Sequence, residues 1–246
     1  MKFSATLLSL AAFAPELISA HGFVRNIRVG ASSWFNGADP VWFYYPSNSL
    51  PATAGWNSLN QDLGFVEPNA AGTSDAACHK SATPSTQFIT AAAGSTLSLY
   101  WNTWPESHRG PIIEYLAPYQ SSAAALRFTK ISQRAIVNNN PNTWVTDQLI
   151  ANNFTSTFTI PRNLRPGDYV LRHEIIALHG GLSPNGAQLY PQCLNLRVTG
   201  SGSVALPSGT AGSALYSPTM PGIIFNIYAG LTSYTFPGPA VWTGAN

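Results

Sequence analysis

The sequence predicts an all-β fold, an antiparallel β-sandwich of immunoglobulin or fibronectin-III type with long loops. Three observations support it. Short extended runs recur along the 246 residues. Gly, Pro, Asn and Ser punctuate them. The length left after an N-terminal leader, about 226 residues, suits one large all-β domain. The candidate strands are Gly22 to Val29, Thr96 to Trp101, Ile112 to Leu116, Phe128 to Ile131, Phe154 to Ile160, Gly167 to Ala177, Gln192 to Thr199 and Ile223 to Ile227. Such a sandwich keeps its function in its loops. The largest, Trp34 to Gly72, is crowded with Trp34, Phe35, Trp42, Phe43, Tyr44, Tyr45 and Trp56. Most of these are expected in a mini-core of the loop and the remainder on a binding surface.

The leader is residues 1–20. Lys2 precedes the apolar run Ala5 to Ala14, and Ile18-Ser19-Ala20 is a small-x-small cleavage pattern, which together read as a secretory signal peptide. No later stretch is long enough to span a membrane, so a secreted, extracellular protein is expected. Residues 21–246 read as a single domain, with no Ser/Thr/Pro-rich linker and no repeat, and no carbohydrate-binding module follows Asn246. Charged residues make up only 9%, aromatics 12%, and the net charge is +2. That surface lacks the clustered Lys and Arg that nucleic acid demands. It suits a neutral, hydroxyl-rich ligand on which tyrosine and tryptophan faces stack.

The densest polar chemistry lies in Leu171 to Leu196, LRHEIIALHGGLSPNGAQLYPQCLNL. His173 and His179 share one strand parity, so both imidazoles emerge on one face if the segment is extended. Gly180 to Gly186 supplies the residues of a tight return. Gln188 and Tyr190 then come back beside His179. Pro191 interrupts the pleat in this reading, so parity is not carried past it. A plain hairpin whose His and Gln satisfy each other is an equally good account of this stretch alone.

Cleavage after Ala20 leaves His21 first, offering an amine and an imidazole as a chelate, because a free α-amino group, with pKa near ~8, yields its proton to a metal at small cost. A third ligand is available in the loop Asn102 to Pro111, where His108 lies between two strands. If His21 and His108 meet, amine and two imidazoles form a T-shaped plane that favours Cu(II), with Tyr190 as a long axial oxygen. Zinc competes for three-ligand histidine sites. Against a zinc hydrolase, the chain has no HExxH and no carboxylate placed as base beside the histidines, since Glu174 points to the opposite face from His173. No G-x-S-x-G elbow marks a serine hydrolase either. The two cysteines, Cys78 and Cys193, are expected to form a structural disulfide worth about 4–5 kcal/mol for a loop of that size. Asn153-Phe154-Thr155 is the single N-glycosylation sequon.

Taken together, His21-Gly22-Phe23-Val24, the DLGFV run from Asp62, the SHxGP loop of His108, RHEIIALH, GAQxYPQC and the C-terminal PGI and PGP segments resemble the fungal lytic polysaccharide monooxygenases of auxiliary activity family nine. The resemblance covers essentially all of residues 21–246. It implies one copper held by a histidine brace of His21 and His108, with Tyr190 axial. His179 and Gln188 match the pair that hydrogen-bonds the bound oxidant, His173 matches no ligand, and Cys78 and Cys193 match a family disulfide. The implied reaction is C–H oxidation at C1 or C4 of a β-1,4-glucan such as cellulose, using O2 or H2O2 and an external electron donor. Tyr234 falls in the segment of the family's surface tyrosine and is placed on the substrate face. A buried C-terminal tyrosine is the other account of it.

The sequence departs from the family in several places. No second disulfide follows Pro118, Arg109 stands where His or Lys is frequent, and Trp34 to Tyr45 matches poorly. A monomer is expected for an enzyme lying on a polymer. The contrasting functions are a non-catalytic carbohydrate-binding sandwich and a copper-binding protein without turnover; for mere stacking, His179, Gln188 and Tyr190 would be unnecessary.

Overall fold

The computed structural model describes residues 21–31 and 33–246, and the leader read at residues 1–20 lies outside them. Ten strands carry the fold: β1 Val24–Val29, β2 Ser33–Asn36, β3 Ile89–Ala92, β4 Thr96–Trp101, β5 Ile112–Pro118, β6 Arg127–Arg134, β7 Thr155–Thr159, β8 Gly167–Ala177, β9 Gln188–Thr199 and β10 Thr210–Ala211. Two short helices, α1 Asp75–Cys78 and α2 Val145–Ala151, interrupt them. The smaller sheet runs β2-β1-β4-β7 and the larger β10-β6-β5-β8-β9-β3. Ile27, Leu97, Leu99 and Trp101 of the first meet Ile112, Leu116, Leu171, Ile175 and Leu196 of the second in one buried core. A second apolar cluster, with Ile113, Tyr115, Val170 and Ile176, covers the outer face of the larger sheet. Strand alternation sorts residues between the two clusters.

The two-sheet sandwich agrees with expectation, with one difference of direction. β3 joins β9 in parallel, Ile89 opposite Leu196, while the other strand pairs run antiparallel. Two boundaries also differ. Ile223 to Ile227 is not a strand. Gly222 sits at φ +90°, and Met220 O accepts from the amides of both Ile223 and Ile224, so the apolar run is a tight turn whose Ile223 is buried. Pro191 does not break β9. Leu189 N and Asn195 N donate outward to Val66 O and Ala54 O, and alternation puts the proline nitrogen on that same side, between the two bridges, where no ladder bond is lost.

Outside the core, the face of β8 turned away from β4 holds a closed polar network. Arg172 pairs with both oxygens of Glu174 at 2.7 and 2.8 Å and donates to the carbonyls of Ala76 and Ala77 in α1. Tyr216 donates to Glu174, and the Tyr115 and Tyr216 hydroxyls lie 2.8 Å apart. The Cys78–Cys193 disulfide fastens the same helix to β9 across 115 residues, as expected.

The aromatic loop is only partly a mini-core. Trp56 is buried and its Nε1 donates to Asn195 Oδ1 at 2.7 Å, but Trp34, Phe43, Tyr44 and Tyr45 are exposed. A short 3-10 turn, Pro40–Tyr44, capped by Asp39, carries Phe43 and Tyr44, and Tyr45 follows it, all three exposed.

Candidate metal centre

His21 is the residue before Gly22, and the chain can enter here only because Gly22 has no side chain, since a Cβ would fall 2.2 Å from Thr103 O. Asn102 then holds the entering strand from both sides. Its Oδ1 accepts from Phe23 N at 2.8 Å and its backbone N donates to Phe23 O at 3.0 Å. The same Asn102 opens the loop that carries His108, so one residue registers two candidate ligands against each other.

His108 sits in a turn closed by its own N–H on Pro105 O. The loop is clamped to the end of β8 and to α2, Leu178 N donating to Arg109 O and Gly110 N to Thr146 Oγ1. At Gly110 a Cβ would lie 1.8 Å from Ile176 O, so the loop presses directly on the strand. Arg109 pairs with Asp147 at 3.0 Å, the carboxylate that also accepts from Trp144 N at the start of α2.

These restraints bring four rings together. The His21 and His108 ring centres are 5.5 Å apart and nearly perpendicular, at 78°. His21 lies over Tyr190 at 5.9 Å, and His108 lies 4.1 Å from His179. Tyr190 is fully buried and its hydroxyl donates to Gln188 Oε1 at 2.7 Å, which confirms their shared face. β8 ends at Ala177, so His179 stands in the turn beyond it, while His173 is inside the core, accepting from Trp101 Nε1 at 3.0 Å. The two histidines of one parity therefore do not share a site. Glu174 is on the opposite face from His173, as expected.

The electrostatics favour lone pairs over protons. Burial first, then the neighbouring imidazoles of His179 and His21, pushes His108 down to about 4. Burial also lowers His21, with the Asp62 carboxylate opposing it, and lowers His179, with His21 adding to the effect. Tyr190 is raised by burial and by Asp62, so it stays a neutral phenol. Among the described residues nothing hydrogen-bonds the buried His108 Nε2 or His179 Nδ1, while His108 Nδ1 lies 3.0 Å from Ser107 Oγ. A buried, neutral imidazole nitrogen without a partner is costly unless something else binds it. The donor set fits a copper ion.

The match to auxiliary activity family 9 (formerly GH61) runs over residues 21–236. The chain belongs to that family. A relative from Malbranchea cinnamomea, named AA9 family lytic polysaccharide monooxygenase F, is 49% identical over 98% of this chain and 97% of its own length. One from Emericella nidulans bearing the same name is 48% identical over 98% of both. The solved structure of Cel61B from Hypocrea jecorina superposes with a TM-score of 0.85 at 43% identity, covering 90% of this chain and all of that one. The family 9 chain described here is thus an oxidoreductase of the lytic polysaccharide monooxygenase type.

Tyr234 is not among the residues brought to this centre. Its ring packs against Trp144, Phe225 and Phe236, and its hydroxyl donates to Gly222 O at 2.6 Å, so it holds the C-terminal segment together. The exposed tyrosine beside the centre is Tyr228, whose hydroxyl lies 3.4 Å from His179 O. Sequence reading also passed over Asn102, Ser107 and Trp104, whose Nε1 donates to His108 O at 2.9 Å. Ser107 adjoins His108 in the SHxGP run and was open to notice. Asn102 acts only through its partner Phe23, far away in sequence.

Proposed function

We propose that this chain cleaves β-1,4-glucan, cellulose or a close relative, by copper-dependent oxidation of the C1 or C4 C–H bond, with O2 or H2O2 as oxidant and an external electron donor. The observation that carries this is the neutral His108 Nε2, unpartnered among the described residues and set across from His21. His21, through its imidazole and through the amine freed when the chain begins there, and His108 would hold the ion, with the protonated Tyr190 phenol as a further, weak oxygen donor. Bound there, copper supplies one-electron chemistry toward the oxygen co-substrate, because amine and imidazole donors support both Cu(I) and Cu(II).

The remaining roles fall to the protein. Gln188, its Oε1 taken by Tyr190, keeps its amide hydrogens to donate, and among the described residues His179 Nδ1 has no hydrogen-bond partner. The pair orients the oxidant and moves its proton. Ser107 fixes the His108 ring from behind. Tyr228 takes the place of Tyr234 as the stacking residue beside the metal, and the exposed Phe43, Tyr44 and Tyr45 extend the contact surface. Asn153, exposed at the turn between α2 and β7, is the glycan acceptor of a protein exported after cleavage at Ala20 and acting as a single monomeric catalytic domain.

The test is the mature protein loaded with one copper and incubated with swollen cellulose, with and without ascorbate. Oxidised oligosaccharides in the mass spectrum only with ascorbate are expected, and aldonic or C4-ketone masses assign the position. Unoxidised sugars would instead mean hydrolysis, and retention on cellulose without products would favour a binding module.

A further inference from the structure

The outer face of the smaller sheet takes no part in the metal centre, and strand register sorts its residues cleanly. Ile27, Leu97, Leu99 and Phe158 lie in the core and Phe35 packs against it, so the residues alternating with them are turned outward. They form two rows across the sheet. One row is Trp34, Arg28, Ser98 and Thr157, and the next is Asn36, Asn26, Tyr100 and Thr155. Each crosses four strands, roughly 14 Å at the usual strand spacing. The Arg28 row lies further along β1 than Val24, roughly 13 Å from the end where His21 enters, so this face is a side wall of the sandwich.

The wall is built like a sugar platform. Trp34 is exposed, yet its ring is braced by Tyr100, with centres 5.0 Å apart, and by the Arg28 guanidinium 5.3 Å from its centre. Arg28 also donates to Ala31 O, which holds guanidinium and indole together. Around them stand amides and hydroxyls. Asn26 Nδ2 donates to Asn36 Oδ1 at 3.3 Å, and the Thr96 and Thr159 hydroxyls lie 3.1 Å apart. The charge is one-sided. None of the chain's ten acidic residues falls in these four strands. Arg28 and the exposed Arg25, at the bulge beside Asn26, make no ion pair among the described residues, whereas Arg109, Arg134, Arg172 and Arg197 are each paired.

We propose that this wall is a second polysaccharide-binding surface, and that its ligand is a β-1,4-xylan carrying scattered glucuronate groups. Binding there needs no metal and goes beyond the copper reading above. Sugar rings stack on Trp34 and Tyr100, the amides and hydroxyls of the two rows take ring hydroxyls, and Arg28 pairs with a glucuronate carboxylate. A polygalacturonate has a carboxylate on every ring and would need a row of cations, where this face has two arginines among neutral side chains. A wholly neutral xylan would leave Arg28 unpaired. With the metal centre at the end of the sandwich and xylan along its wall, one molecule holds two different polymers.

The test is affinity electrophoresis of the metal-free mature protein through gels containing soluble glucuronoxylan, the same xylan with its carboxyl groups reduced, or polygalacturonate. Wild type is expected to be retarded most by glucuronoxylan, and less so as salt is raised. Reducing the carboxyl groups, Trp34→Ala and Arg28→Gln are each expected to weaken binding about tenfold, the loss of one charge-assisted or stacking contact. Thr157→Glu, which sets a like charge in the row and leaves Trp34 in place, is expected to abolish it, with the melting temperature of the wild type retained. Should Trp34→Ala fail to fold, Arg28→Gln and Thr157→Glu decide. No retardation of wild type by glucuronoxylan, equal retardation by the reduced xylan, stronger retardation by polygalacturonate, or wild-type binding in Arg28→Gln and Thr157→Glu overturns the proposal. Copper-loaded Thr157→Glu is expected to oxidise pure cellulose as the wild type does. Absence of oxidation in both proteins would instead sink the copper reading, which the xylan gels do not touch.

Discussion

Strand β8 carries two polar regions that obey opposite rules. At Arg172 and Glu174 every polar atom is satisfied within the protein, by the bidentate pair, by Tyr216 and by the α1 carbonyls. A few residues on, past the strand's end, His179 and its neighbour His108 keep nitrogen atoms that no described residue satisfies. Both regions are rich in titratable groups, so abundance of charge does not distinguish site from scaffold. What distinguishes them is whether the lone pairs are used up internally. The first region fixes the frame, and the second is left open for a ligand.

The sharpest way to break this contrast is Glu174→Ala. It strands the fully buried Arg172 guanidinium and should cost about 3–5 kcal/mol in denaturant unfolding, since removing one partner leaves an uncompensated charge. A loss below about 1 kcal/mol would show that the network is not the frame. Cys78→Ser with Cys193→Ser tests the second fastening of α1 and should cost about 2–5 kcal/mol, with copper binding retained in the folded protein.

A third measurement uses pH. His79, buried beside the disulfide, is pushed by burial, and then by Lys80, from 6.5 down to about 3. The unfolded chain takes a proton there that the folded one refuses, so this contribution is full above about 6.5 and is lost as pH falls toward 3, with a slope of up to about 1.4 kcal/mol per pH unit. His79→Asn, which tolerates the positive φ of 85° at this position, should flatten the stability profile in that window. An unchanged slope would refute the assignment.

The smallest change in stability is expected from the open region itself. His108→Ala should alter the metal-free protein by about 1 kcal/mol or less. The rise in melting temperature that copper gives the wild type should nevertheless vanish. Unchanged Cu(II) affinity in His108→Ala would sink the brace.

The sequence made the open region more legible than the frame. Strand parity and a two-glycine return place Gln188 and Tyr190 together from local pattern alone, and a histidine next to an expected cleavage pattern is visible by eye. The parallel docking of β3 on β9 joins residues more than a hundred positions apart, and no local signal encodes it. Tyr228 and Tyr234 illustrate the remaining difficulty. Six residues separate them in a segment without regular period, and only the packing of Trp144, Phe225 and Phe236 around one decides which of them faces outward. Phe43 to Tyr45 lie outside the mini-core expected for most of this loop's aromatics, because apolar character is visible in a sequence and burial is not.

Gly110 gives the metal centre a fixed point in mutational space. With the Ile176 carbonyl where a Cβ would stand, position 110 has a one-letter alphabet, whereas Glu106, exposed on the same short loop, is under no such limit. Lineages diverging from a common ancestor can therefore recolour the rim proposed to meet the polymer while the proposed ion site stays where it is. Changes in substrate preference and loss of the metal then lie on separate evolutionary paths.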